Sequence, residues 1–257
     1  MKIISVVSAK GGVGKTTVTA TLAHALARQG ARVLVLDLDP QNALALHFGI
    51  HPNEQRGLSR ATLAQQTLRS VVMESASGAF IVPYGIVNEE DRGRLERLVE
   101  TRPDWLTSHI QSLGLPPDTL VLLDTPPGPS VYMKHALSCA NLVVVVTLSD
   151  AASYATVPMM QRLVQTYCLN RPDFLDCLYV LNQVDKSLQL SKDVTHLMME
   201  TFGERVIGVV HRDQSVCEAL AQDRSVIDYE PGSQASNDLR MAAERINQRL
   251  QAQPLVA

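Results

Sequence analysis

Short runs of consecutive apolar residues alternate along the chain with stretches whose apolar positions recur every three or four residues. The runs are IISVVS (3–8), ARVLVLDLD (31–39), GAFIVPYG (78–85), DTLVLLDTPPG (118–128), ANLVVVVTLSD (140–150), DFLDCLYVLNQVD (173–185) and RVIGVVHRD (205–213). Each is rich in β-branched or leucine residues and bounded by Gly, Pro or acids, the pattern of a strand buried on both faces. Helical spacing dominates 16–30, which closes on Gly30, and also 88–100, 155–168 and 234–251;. The 88–100 stretch is so charged that it reads as a solvated amphipathic helix. In 155–168, Pro158 falls in the first turns, where a missing N–H costs nothing. Strands alternating with helices predict an α/β fold with a mostly parallel twisted sheet of about seven strands and helices on both faces. No linker, repeat or low-complexity segment divides the chain, so 1–257 reads as one domain. Residues 50–78 and 84–118 have the least regular pattern and are expected to carry family-specific surfaces.

Composition narrows this picture. Apolar residues make up 46% of 257 residues while aromatics are only 4%, so the core is expected to be Val, Leu, Ile and Ala;. A net charge of −3 argues against a protein built around a basic nucleic-acid or membrane surface;. Cys139, Cys168, Cys177 and Cys217 form no C-x-x-C pair, so they read as reduced core thiols and not as metal ligands;. The first apolar run is too short and too soon charged for a signal peptide, and no apolar stretch has the ~18–20 residues of a membrane span. The chain is expected to be soluble and cytoplasmic.

Candidate chemistry begins after the first strand, in Lys10-Gly11-Gly12-Val13-Gly14-Lys15-Thr16-Thr17. Glycines followed by a helix N-terminus surround an anion with backbone N–H groups. Lys15 can reach phosphates, and the Thr16 hydroxyl can ligate Mg²⁺. Ala9 stands where the plain G-x-x-x-x-G-K-[ST] pattern has its first glycine, and Lys10 is a second lysine that such a loop does not need. Asp37 and Asp39 lie on one side of a strand's carboxyl end, where α/β sheets bind ligands. Either could instead cap the next helix. Asp124 ends the strand before T-P-P-G. Asp213 precedes QSVCEAL and has the features of a helix N-cap as well as of a ligand contact.

K-G-G-x-G-K-[ST] resembles the deviant Walker A loop of the MinD/ParA class of P-loop ATPases. The resemblance implies a P-loop NTPase fold, ATP/ADP and Mg²⁺ as cofactors, slow hydrolysis coupled to dimerisation, and a homodimer formed as a nucleotide sandwich. Lys10 is then the lysine that reaches the partner subunit's phosphates, as an arginine finger does. A repulsion between Lys10 and Lys15 unless phosphate lies between them fits that role. By the same resemblance Gly11 to Thr17 bind phosphate and Asp39 positions water. Thr16, Asp37 and Asp124 serve Mg²⁺, Gly128 senses the γ-phosphate, and Asn182 meets the adenine edge. His211, Arg212 and Asp213 close over the base, with His211 standing where many members have proline.

Three stretches, LALHFGIHPNEQRGLSRATL (44–63), FIVPYG (80–85) and VHRDQSVCEALAQDRSVIDYEPGSQASNDL (210–239), resemble the BcsQ (YhjQ) family of cellulose-synthase operons. That resemblance spans nearly the whole chain. It implies an ATP-dependent switch that assembles, localises or regulates the cellulose secretion machinery. Its implied partners are components such as BcsR, BcsE or BcsA, which could recruit it to the inner membrane or a cell pole. Some BcsQ members have degraded loops; this chain keeps both lysines and both switch acids, which implies a competent ATPase. The ending RINQRLQAQPLVA lacks the basic amphipathic membrane helix of MinD, so no intrinsic membrane insertion is expected. The alternatives are a ParA-type DNA-partition ATPase, using Arg240, Arg245 and Arg249, and a nucleotide-binding scaffold without useful hydrolysis.

Overall fold

The computed structural model describes residues 1–51, 53–75 and 78–251. The apolar tail considered above, from residue 252 on, lies outside them. The strands are β1 (Lys2–Val7), β2 (Val33–Asp37), β3 (Met73–Glu74), β4 (Phe80–Val82), β5 (Leu120–Asp124), β6 (Leu142–Leu148), β7 (Asp176–Val184) and β8 (Val206–His211). They form one sheet in the order β3-β4-β2-β5-β1-β6-β7-β8. Every pairing is parallel except β3 with β4. Among the described residues, eight strands replace the expected seven. The extra one, β3, is a two-residue antiparallel edge, too short to show any periodicity, and it is held by the reversal that brings Ser75 N–H to the Ala79 carbonyl at 2.9 Å.

The helices are α1 (Lys15–Arg28), α2 (Leu58–Leu63), α3 (Glu89–Thr101), α4 (Trp105–Ser112), α5 (Val131–Cys139), α6 (Ala151–Tyr154), α7 (Val157–Tyr167), α8 (Gln189–Phe202), α9 (Gln214–Ala221), α10 (Val226–Tyr229) and α11 (Gln234–Gln251). Helix α4 sits in a stretch that had looked irregular, because its eight residues give barely two turns of pattern;. Central strand β1 shows why the strands read as unbroken apolar runs. Ile4 and Val6 pack into the layer formed with α1 and α11, while Ile3 and Val7 pack into the opposite layer, where α5 lies. Burying such side chains on both faces is worth about 1.5–3 kcal/mol each.

The parallel arrangement brings the carboxyl ends of β1, β2, β5, β6 and β7 to one edge of the sheet. There Asp37 and Asp124 are direct neighbours in the β2–β5 register. Helix α1 rises from the same edge, in contact with β1, β5 and β6.

Candidate functional site

Helix α1 starts without the usual side-chain cap. Its N-cap is Gly14, in the left-handed region at φ 80°, and no side chain accepts from its first-turn N–H groups. No acid occupies that turn either. A helix start with orphan donors and an uncompensated positive dipole end is suited to an anion. Gly14 is needed twice over. Its φ disfavours any Cβ, and a Cβ there would come within 2.4 Å of Asn182 Nδ2;. Residues Ser8, Lys10–Thr17, Asp39, Gln41 and Pro127 line a cleft of about 210 Å³ over this helix start.

Beneath the cleft, Asp124 holds three groups of α1 at once. Lys15 Nζ donates to Asp124 Oδ1 at 2.7 Å, Thr19 Oγ1 to the same oxygen at 2.8 Å, and Thr16 Oγ1 to Oδ2 at 2.8 Å. Lys15 and Asp124 are both buried. Sequence reasoning missed Thr19. The signal was its place one helical turn after Lys15, which puts both on one face.

Asp37 is fully buried and accepts the Asp39 N–H through Oδ1 at 2.9 Å. Among the described residues its Oδ2 has no partner. Burial, then the neighbouring Asp124, pushes the Asp37 carboxyl well above the usual carboxylate range;. Asp39 is raised by burial as well, and its Oδ1 accepts from the Gln41 N–H at 3.0 Å. Neither acid caps a long helix; each turns the chain locally at the carboxyl end of β2.

Lys10 lies on the rim, with Nζ 3.8 Å from Asp150 Oδ1 and about a third of its side chain exposed. The repulsion expected between the two lysines is therefore relieved within the chain, Lys15 by Asp124 and Lys10 by Asp150. Gly128 donates its N–H to the Ser8 carbonyl at 2.9 Å, closing the loop after β5 onto the loop after β1.

Asn182 touches the loop, whereas the 211–213 stretch is bonded to β7, α9 and α11. Asn182 Nδ2 donates to the Val13 carbonyl at 2.8 Å. His211 turns toward α11, where its N–H and Nδ1 meet Asp238 Oδ2 at 3.0 and 2.7 Å. Arg212 is exposed. Asp213 is the N-cap of α9, accepting from Ser215 N at 3.0 Å, and its other oxygen accepts the Ala235 N–H of α11 at 3.1 Å.

The model of the cellulose biosynthesis protein BcsQ family matches residues 1–246. The chain belongs to the BcsQ family. Among its relatives is the cellulose biosynthesis protein BcsQ of Salmonella typhimurium strain LT2, 25% identical over 240 residues that cover 93% of this chain and 91% of that protein. The chromosome partitioning protein ParA of Caulobacter vibrioides is 28% identical over 259 residues, covering 96% and 94%. Among solved structures, the septum site-determining protein MinD of Pyrococcus horikoshii OT3, complexed with Mg-ADP, superposes with a TM-score of 0.79 at 23% identity, covering 97% of each chain. This BcsQ-family chain thus has the MinD/ParA P-loop NTPase fold.

The arginines weighed for DNA are engaged by the fold. Arg240 Nε donates to the Ser236 carbonyl, Arg245 Nη1 to the Val206 and Ile207 carbonyls, and Arg249 pairs with Asp176. Cys217 departs from the core-thiol reading. It is exposed on α9, whereas Cys139, Cys168 and Cys177 are buried. No helix among the described residues is long and apolar enough to cross a membrane.

Proposed function

We propose that this P-loop NTPase of the MinD/ParA class binds and slowly hydrolyses Mg-ATP, and that the nucleotide state controls a homodimer serving the cellulose synthase machinery. The uncapped start of α1 standing directly over the Lys15–Asp124–Thr16 cluster is the observation that carries the reading.

The donor set fits nucleotide and metal. The N–H groups of Gly12 to Thr17 and the Lys15 ammonium suit a polyphosphate. Two buried acids, Asp37 and Asp124, are neighbours there, and among the described residues the Asp37 Oδ2 has no partner. A divalent cation would favour the charged form of Asp37 that burial disfavours, and the Thr16 hydroxyl stands beside Asp124;. Mg²⁺ supplies neutralisation of phosphate charge when bound. Asp39, on the cleft wall, is suited to orienting a water.

Asn182 keeps its amide oxygen for a donor such as an adenine amino group, because only Nδ2 is bound to the loop. His211 ends β8, paired with Val184 of β7, and Arg212 and Asp213 follow. Lys10, whose ion pair among the described residues is long and partly exposed, is available to a second subunit's phosphates. BcsR, BcsE or BcsA are the partners that family membership suggests. A DNA role has less support, since Arg249 is paired with Asp176 and Arg240 and Arg245 each bond to backbone carbonyls. The test is ATP binding and phosphate release by the purified chain, with pull-down of cellulose-synthase components in ATP and in ADP. Saturable binding, slow turnover and nucleotide-dependent capture are expected. Absence of nucleotide binding rules the reading out, and salt-sensitive binding to random DNA with ATP would favour the partition role.

A further inference from the structure

Strand β7 carries one extra residue near its carboxyl end. Leu181 pairs with Val209 and Val184 with His211, so three steps along β7 match two along β8. This is a β-bulge, and Gln183 within it is in the left-handed region at φ 55°;. Glutamine is not a residue that favours this conformation.

The consequence is visible in where two consecutive side chains go. In a regular strand, neighbours point to opposite faces. Here Asn182 Nδ2 donates to the Val13 carbonyl at 2.8 Å, and Gln183 Nε2 donates to the Gly12 carbonyl at 3.4 Å. Both amides also crowd the same glycine. A Cβ on Gly14 would lie 2.4 Å from Asn182 Nδ2 and 3.5 Å from Gln183 Nε2.

We propose that Gln183 is a positioning residue of the phosphate loop, and that the β7 bulge exists to turn the Asn182 and Gln183 amides together onto the Gly12 and Val13 carbonyls. This rests on the nucleotide-binding reading above and extends it. Two carbonyls bound on the β7 side keep their peptide planes from rotating into the cleft, where their oxygens would repel phosphate. The N–H groups of the loop are thereby set toward the anion before it arrives. Asn182 provides the short, buried bond. Gln183 adds a longer, exposed one and occupies the strained position. Backbone strain placed where a ligand loop must be held is a trade of stability for pre-organisation.

That trade makes the test specific, because a merely structural role moves stability and binding in the same direction. Gln183→Gly and Gln183→Asn both tolerate φ 55°, and neither can reach the Gly12 carbonyl. Gln183→Glu keeps the length but presents an acceptor to an acceptor. Each is compared with the wild-type chain by Mg-ADP calorimetry and by thermal unfolding without nucleotide. The expected result for Gln183→Gly and Gln183→Asn is a Tm unchanged or raised by about 2–4 °C, together with Mg-ADP binding weaker by about threefold to tenfold. Gln183→Glu should weaken binding at least as much. Wild-type affinity in these variants overturns the role of Gln183, as does a loss of affinity that tracks a loss of Tm. If the wild-type chain itself binds no Mg-ADP, the nucleotide reading fails first and this inference fails with it.

Discussion

The Lys15 ammonium stands 2.7 Å from Asp124, with both groups buried and with Asp37 as the next carboxylate along the sheet edge. The ammonium therefore compensates the buried Asp124 and also lines the candidate phosphate cleft. Lys15→Ala removes it from both duties. The expected outcome is loss of measurable nucleotide binding and a fall of about 3–5 kcal/mol in the unfolding free energy of the nucleotide-free chain, since a buried charge is left unpaired. Fluorescent-nucleotide titration and urea unfolding check the two halves separately. Affinity within about threefold of wild type would remove Lys15 from the phosphate site.

Asp37 carries the opposite expectation for stability. Burial and Asp124 hold its carboxyl well above the ordinary range, so its charged form is disfavoured in the folded chain;. Asp37→Asn should raise the Tm of the nucleotide-free protein, because an Asn carbonyl can still accept the Asp39 N–H. It should also weaken the Mg²⁺ dependence of nucleotide binding, read from titrations with and without EDTA. A variant that binds Mg-ATP like wild type would exclude Asp37 from the metal site.

Gly14→Ala tests the crowding around the loop. A Cβ would meet the Asn182 amide at 2.4 Å, at a φ of 80° that alanine resists. The loop has to shift, so nucleotide binding is expected to fall by more than tenfold while the far-UV spectrum keeps its α/β shape.

His24 gives a pH prediction. It is buried on α1 with neither ring nitrogen bonded among the described residues, edge-on to Phe48 at 4.6 Å, and burial pushes its pKa down to about 4. The folded state disfavours the proton that the unfolded state takes up near pH 6.5. Stability is therefore intact above pH 6.5 and is lost as pH falls toward 4. Replacing an unbonded buried ring by an apolar side chain, His24→Leu, should stabilise the chain by about 1–3 kcal/mol at pH 7.5. Its advantage over wild type should widen by no more than about 3 kcal/mol between pH 6.5 and 4 in denaturant titrations. A constant difference across that range would mean that His24 does not titrate on unfolding.

Much of this was legible in the chain. Seven apolar runs became seven parallel strands because a strand buried on both faces needs no alternation, and α11 covers the same residues that its periodicity marked. Lys15, Thr16 and Asp124 could be named from local motifs. What the pattern could not give were contacts set by distant pairing or by a local backbone flip. Thr19 reaches Asp124 across 105 residues, and Asp238 reaches His211 from α11. The bulge at Gln183 leaves no mark in an otherwise ordinary strand sequence. Asp150, the N-cap of α6, was not singled out, because its pairing with Lys10 depends on how the loop is laid across the sheet edge.

Lys10 is where the proposed switch is most exposed to test. Among the described residues of one chain its ammonium pairs with Asp150, at 3.8 Å and open to solvent, and the phosphate contacts proposed for Lys15 and Gly12 to Thr17 do not need it. Two ATP molecules facing each other across a two-fold axis repel, and a lysine from each side offsets that repulsion. Sedimentation velocity of Lys10→Ala with saturating Mg-ATP, beside wild type, measures this directly. The expected result is a wild-type dimer and a Lys10→Ala monomer that still binds nucleotide, with turnover near background. A Lys10→Ala dimer as tight as wild type, hydrolysing ATP at the normal rate, would show that Lys10 does not act across the interface.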